Sequence, residues 1–158
     1  MHIYQTMDHL KLKLEIYEKS LQLIEGRLHT IKENIKELIV SKNSETKSSA
    51  GDKYETGRAM MQNEEDLYKR QLADTQQVYK SFISIPKSEI CDVVKPGALI
   101  KLPAGWFYLG AAIGKIRVQN IDVYCISLQS PIGKALKGLQ ANEKVHFNEQ
   151  IFTIQELY

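Results

Sequence analysis

Apolar side chains recur along the first part of the chain at alternating spacings of three and four residues. The series is Met7, Leu10, Leu14, Tyr17, Leu21, Ile24, Leu28, Ile31, Ile35 and Leu38. This spacing places every member on one face of an α-helix, as in the apolar stripe of a coiled coil. The pattern therefore predicts a long helix that ends near Val40 and needs a helical partner along its length.

The partner is predicted within the same chain. Ser41–Gly51 contains no apolar residue larger than alanine and is rich in residues that favour turns. A second series follows at intervals of seven, at Tyr54, Met61, Tyr68, Thr75 and Phe82. It predicts a second helix that ends at about Ile83. Folding the two helices back on each other about residue 48 pairs Leu14 with Phe82 and buries both stripes.

The sequence changes character after the second helix. All four prolines, and the single Trp106, lie at or beyond Pro86. Short apolar segments separated by Gly, Asn and Pro predict strands, at residues 98–102, 106–109, 113–118, 121–128, 144–147 and 151–157. We therefore predict two domains: an antiparallel α-helical coiled-coil hairpin at residues 1–83, and at 84–158 an α+β domain with a small antiparallel sheet.

One short helix is predicted inside the second domain from the residues at its ends. Ser130 is a favoured N-cap residue, and Pro131 is the residue best suited to the first helical position. Gly138 follows the last turn, where glycine commonly ends a helix. The sequence thus predicts a single helix covering the sheet.

Composition narrows the classes of function. Lys and Arg balance Asp and Glu over residues 1–83, so the net charge of +2 arises from the remainder, and no clustered positive field indicates binding to free nucleic acid. The longest apolar run, Trp106–Ile113, is far shorter than the about 20 residues of a membrane span. We expect a soluble, cytoplasmic protein with no membrane partner, in which Cys91 and Cys125 are buried and inert thiols in a reducing compartment.

Two carboxylates open the second helix in the segment from residue 48 to 58, "SSAGDKYETGR". Asp52 and Glu55 have the spacing of a capping box, in which each side chain accepts from the other's backbone N–H. The same spacing presents both acids on one helical face, where they can contribute to a Mg²⁺ site that another protein supplies. Arg58 and Glu65 fall on the buried stripe nearest the turn, where we expect them to weaken packing or reach past it.

Two motifs carry a resemblance to a known family. The turn Gly51-Asp52-x-x-Glu55, after a long first helix, resembles the tip of the Gre family of bacterial transcript cleavage factors. The stretch "SPIGKALKGLQANEKVHF", Ser130–Phe147, is similar to the C-terminal signature of that family. The resemblance covers nearly the whole chain in the same order and implies an FKBP-like fold for the second domain.

The resemblance implies an accessory factor rather than an enzyme. Its partners would be bacterial RNA polymerase and the nascent RNA 3′ end, with the hairpin in the secondary channel and the C-terminal domain docked at the channel rim. Asp52 and Glu55 match the acids that assist the Mg²⁺ site of the polymerase, so the chain would share this ion with the polymerase. No tightly bound cofactor is expected. The partner-binding residues would be Lys53, Tyr54, Arg58, Ser130, Pro131 and Ile132.

The tip departs from the family pattern, and two alternatives follow. Lys53 and Tyr54 replace the usual Leu-Ser, and Thr56-Gly57-Arg58 follow Glu55 where the family usually has Asn. A channel-binding regulator that inhibits or modulates polymerase without promoting cleavage is the first alternative. A structural coiled-coil homo-oligomer with an appended sheet is the second, because Met60, Leu67 and Val78 form a further apolar line.

Overall fold

The computed structural model describes residues 2–45 and 52–158, with side chains described for residues 8–44 and 55–158. Helix α1, His2–Glu45, and helix α2, Asp52–Ile83, form the predicted hairpin. Helix α2 ends where the sequence predicts, whereas α1 continues past the expected end at Val40. Ser41–Ser44 do not break a helix, and Lys42 within this extra turn contacts α2. The remainder of the predicted turn, residues 46–51, lies outside the described residues.

The chain divides into two compact units. The hairpin unit is Ile24–Lys80, and the sheet unit combines Met1–Leu23 with Ser81–Tyr158. The first turns of α1 thus belong to the unit that contains the sheet. The predicted domain boundary between residues 83 and 84 concerns independent folding, which this division does not test, and it stays a prediction.

The hairpin unit buries only part of the predicted stripe. Ile24 and Leu38 are buried on α1, whereas Leu28 on α1 and Tyr68 and Leu72 on α2 are half-buried. A second set of large apolar side chains is exposed in this unit, at Ile39, Val40, Met60, Leu67 and Val78. Two helices without a third partner leave much of such a stripe in contact with solvent.

The sheet unit contains a five-stranded sheet in the order β3-β4-β2-β1-β7 and a two-stranded sheet, β5-β6. The strands are β1 Leu99–Leu102, β2 Gly105–Gly110, β3 Gly114–Val118, β4 Ile121–Ser127, β5 Lys144–Phe147, β6 Gln150–Thr153 and β7 Glu156–Leu157. Helix α3, Pro131–Leu136, lies between β4 and β5. The α+β architecture and the single short helix confirm the predicted fold class.

One pairing in the larger sheet differs from the antiparallel prediction. Strand β2 pairs with β4 in parallel, with Trp106 opposite Val123. The chain reverses at Gln119 and Asn120, whose φ angles of 51° and 61° make a tight hairpin between β3 and β4. This hairpin returns β4 into the space between β2 and β3, so β4 runs in the same direction as β2.

The core of the sheet unit receives side chains from the sheet, from α3 and from the start of α1. One cluster contains Cys91, Val94, Ala98, Ile100, Leu102, Leu109, Leu136, Val145 and Ile154. On α1, Leu12, Ile16 and Tyr17 are buried, and the rings of Tyr17 and Phe82 stack with centroids 4.8 Å apart. Phe82 therefore contacts α1 three residues beyond Leu14, the partner that the sequence register predicts.

Candidate functional site

The predicted acidic tip coincides with the first turn of α2. The helix begins at Asp52, and the Glu55 side chain, one turn further on, is exposed. The side chains of Asp52, Lys53 and Tyr54 lie outside the described residues. The capping box and the shared Mg²⁺ site thus stay predictions, and the exposed carboxylate of Glu55 is the part of the tip that the structure places.

A pocket of about 270 Å³ lies next to the tip in the hairpin unit. It is lined by Ile39, Lys42, Asn43, Arg58 and Glu65. Arg58 is exposed and follows Glu55 by three residues, so the two side chains share one face of α2. The structure therefore places one of the predicted partner-binding residues, Arg58, in a concave and mixed-charge surface close to the acids.

Glu65 holds a charge on the stripe that joins the two helices. Its carboxylate accepts hydrogen bonds from Lys42 Nζ at 2.8 Å and from Lys69 Nζ at 2.7 Å. Glu65 is only 7% exposed. The hydrogen bond from Lys42, and after it the bond from Lys69, lowers the pKa of Glu65 to about 2. The sequence interpretation of Glu65 as a weak point missed its pairing, because it ended α1 before Lys42. The i,i+4 spacing of Glu65 and Lys69 was the available signal.

The predicted C-terminal partner residues are held differently from one another. Ser130 caps α3: its Oγ accepts from the Gly133 N–H at 3.1 Å and donates to the Ser127 carbonyl at 2.7 Å. Pro131 occupies the first turn and is exposed, whereas Ile132 is half-buried against the core. The local prediction of a capped helix is confirmed, and of the three residues Pro131 offers the most surface to a partner.

A buried lysine is the feature that sequence reasoning missed entirely. Lys13 is 1% exposed, and its Nζ donates to the Glu89 carbonyl and lies 3.6 Å from Cys91 Sγ. A single lysine on a charge-rich helix gave no sequence signal for burial, because lysine is almost never fully buried. Cys91 and Cys125 are both free and buried, as predicted.

The exposed carboxylate of Glu55 offers oxygen atoms, the type of ligand that Mg²⁺ prefers. Mg²⁺ prefers six oxygen ligands and usually retains waters, with one or two carboxylates from protein. Within residues 2–45 and 52–158, the side chains described contain no group of three or more His, Cys, Asp or Glu residues placed to hold a metal ion.

The chain combines a helical hairpin with an α+β unit. Among the residues that the structure describes, no helix is long and apolar enough to span a membrane. No protein-family model and no curated protein matches the chain. A solved structure described as that of the transcription factor Gfh1 is similar over 94% of each chain, with 16% identity and a TM-score of 0.33. A likeness at that level assigns no function.

Proposed function

We propose that the chain is a Gre-like transcription elongation factor that acts on bacterial RNA polymerase. The hairpin enters the secondary channel, and Asp52 and Glu55 assist the polymerase Mg²⁺ in cleaving the 3′ end of backtracked RNA. One observation carries the proposal: α2 starts at Asp52 with Glu55 exposed one turn later, at the end of a long hairpin. The capped α3 helix, formed by the second family-like motif, supports it.

The proposed chemistry requires little from the chain itself. Residues i and i+3 of a helix present their side chains on one face, so Asp52 and Glu55 can offer oxygens to one ion. Asp52 and Glu55 would add ligands to a two-ion centre, which would supply an activated water and stabilisation of the leaving oxygen of the phosphodiester. The polymerase supplies the remaining ligands and the substrate, so the chain is an accessory factor rather than an enzyme.

The sheet unit would hold the factor on the polymerase. Pro131 is exposed at the start of α3, and Ser130 and Ile132 fix the helix through its cap and its packing. In this role Pro131 touches the partner, while Ser130 and Ile132 maintain the shape of the contact.

The decisive variant is Asp52→Asn with Glu55→Gln. Asn retains N-cap hydrogen bonding and Gln retains the capping-box partner, so both changes remove charge while preserving the helix start. We expect stimulation of RNA cleavage in stalled, backtracked complexes to fall by about 10-fold or more, the scale seen when groups that orient a metal site are lost. Binding to core polymerase should be unchanged.

Asp74→Asn provides the matched control, because Asp74 is an exposed acid further along the same helix. It should leave both cleavage and binding at the wild-type level. Full cleavage by the double variant, with binding retained, would remove Asp52 and Glu55 from the mechanism.

A second candidate function is occupation of the channel without cleavage. It is favoured by Arg58, whose positive charge lies on the same helical face as Glu55 and opposes recruitment of a cation. In that case the wild-type chain binds polymerase and alters pausing but never shortens the RNA. The same backtracked-complex assay separates the two functions.

A structural homo-oligomer is favoured by a different observation. Met60, Leu67 and Val78 are exposed along α2, at 68%, 45% and 40%. If this line closes a helical dimer, sedimentation gives a stable dimer and the chain fails to bind polymerase. A monomer that binds polymerase excludes that function.

A further inference from the structure

A lysine amine and a thiol are in contact inside the sheet unit. Lys13 Nζ lies 3.6 Å from Cys91 Sγ, and the two residues are 78 positions apart in the chain. They are 1% and 3% exposed, respectively. The Glu89 carbonyl accepts a hydrogen bond from Nζ and so fixes the amine beside the sulfur. This arrangement does not depend on the function proposed above.

The surroundings favour the reactive form of the amine. Burial is the largest influence on Lys13 and lowers its pKa, although the neighbouring Cys91 and Glu89 oppose the shift. A desolvated lysine is neutral more often than an exposed one, and the neutral amine is the nucleophile. The second buried thiol offers a contrast, since Cys125 contacts the hydroxyl of Ser20 at 3.9 Å.

We propose that Lys13 and Cys91 form a covalent, reversible sulfenamide crosslink when the protein meets hydrogen peroxide. Cys91 first takes one oxygen from the peroxide and becomes a sulfenic acid, releasing one water. The Lys13 amine nitrogen then attacks the sulfur, and the sulfenic hydroxyl leaves with an amine proton as a second water. One N–S bond replaces one N–H and one S–H bond, the sulfur loses two electrons, and one peroxide is reduced.

The oxidant can reach the pair through the connection that carries Cys91. This residue lies in the irregular segment between α2 and β1, and its neighbours Glu89, Ile90 and Asp92 are exposed. Segments without regular hydrogen bonding open locally at a lower free energy than helices or strands. A small neutral oxidant such as hydrogen peroxide therefore has access during brief opening.

The crosslink would have a mechanical effect on the sheet unit. It joins α1 to the segment that leads into the sheet, and so ties together two parts of the unit that are remote in sequence. Closing a long loop lowers the conformational entropy of the unfolded chain more than closing a short one. Oxidised protein should unfold at a higher temperature, and a thiol reductant should reverse the change.

The test is peptide mapping by mass spectrometry after graded peroxide treatment of the full chain. Met60, which is 68% exposed, serves as an internal gauge of oxidation through its sulfoxide. We expect a joined pair of peptides containing Lys13 and Cys91, lighter by two hydrogens than the sum of the two and separated by dithiothreitol. The thermal midpoint should rise with the amount of joined peptide.

Variants make the assignment specific. Cys125→Ser should retain the crosslink in full, whereas Cys91→Ser and Lys13→Met should abolish it. The wild-type and Cys125→Ser maps decide the matter even if the other two variants fold poorly. The proposal is overturned by oxidised Cys91 with Lys13 unmodified, by untouched Cys91 when Met60 is fully oxidised, or by a joined pair that carries an added oxygen.

Discussion

At the scale of single residues, the most informative group is the carboxylate of Glu65. An acid on the stripe between two helices would destabilise the hairpin if it were unpaired, because a buried charge needs compensation. Here Lys42 and Lys69 both donate to it, from opposite helices. The ion pair of Glu65 with Lys42 also holds the last turn of α1 against α2. Glu65 therefore stabilises both the end of α1 and its packing on α2.

The ionisation of Glu65 makes part of the hairpin stability depend on pH. Its pKa is lowered from 4.5 to about 2, so its contribution is complete above about pH 4.5 and is lost as the pH falls toward 2. We expect Glu65→Gln to lower the free energy of unfolding at pH 7. The difference from wild type should shrink between pH 4.5 and pH 2, as measured by urea unfolding followed by helical circular dichroism.

Glu25→Gln is the control for that series, since Glu25 is an exposed acid of α1 in the same unit. Its difference from wild type should stay small at every pH. If the difference in unfolding free energy between Glu65→Gln and wild type were constant with pH, the contacts of Lys42 and Lys69 would not depend on the charge of Glu65.

At the scale of secondary-structure elements, two glycines in helices play opposite parts. Gly26 lies in the middle of α1, and a Cβ built there has no atom within 4 Å. Gly133 lies in α3, where a Cβ would collide with the Ser127 carbonyl oxygen and approach Ser130 Oγ at 2.9 Å. Gly26 weakens α1, because glycine has a low helix propensity. By contrast, α3 can pack on β4 only because Gly133 has no side chain.

Replacing glycine by alanine should therefore raise stability at position 26 and lower it at position 133. Gly26→Ala should stabilise the hairpin unit by about 1 kcal/mol, through helix propensity. Gly133→Ala should destabilise the sheet unit by about 1–3 kcal/mol, as overpacking does. Helical circular dichroism reports the first change, and the fluorescence of Trp106, the single tryptophan, reports the second. Equal effects at both sites would contradict the packing described for α3.

Sequence patterns predicted those elements whose signals are local. Heptad spacing predicted both helices, and Ser130 with Pro131 predicted α3 and its cap. The parallel pairing of β2 with β4 was not predictable, because it depends on where the β3–β4 hairpin is placed in the sheet. The contacts of Lys42 with Glu65, and of Lys13 with Cys91, join residues that only the tertiary fold brings together. At the tip, the structure shows that the Glu55 side chain is exposed. The role of Asp52 and Glu55 at a metal site stays a prediction.

At the scale of the whole molecule, the sheet unit is assembled from two separate stretches of chain. α1 supplies Lys19, whose Nζ donates to the Arg117 carbonyl at 2.7 Å, and Ser20, which contacts Cys125. Cys125 is 3% exposed, and burial raises the pKa of its thiol to about 11. The sheet unit therefore includes a helical stretch that lies far from the strands in sequence.

Separating residues 84–158 from the rest should expose that thiol. In a Cys91→Ser background, we expect Cys125 of the fragment to react with an alkylating agent about 10- to 100-fold faster than in the full chain, since its pKa returns toward 9.0. The full chain in denaturant sets the upper limit. Equal protection in the fragment would support residues 84–158 as an autonomous domain, as the sequence predicts.

The split composition of the sheet unit bears on the order in which a newly made chain can fold. Ile24–Lys80 is continuous, so its two helices can associate once both have left the ribosome. Leu12 and Ile16, by contrast, are buried in a unit whose other stretch, Ser81–Tyr158, is translated later. The apolar face of α1 that carries Leu12 and Ile16 is thus synthesised before the stretch that completes its unit, and we expect a chaperone to protect this face in the interval.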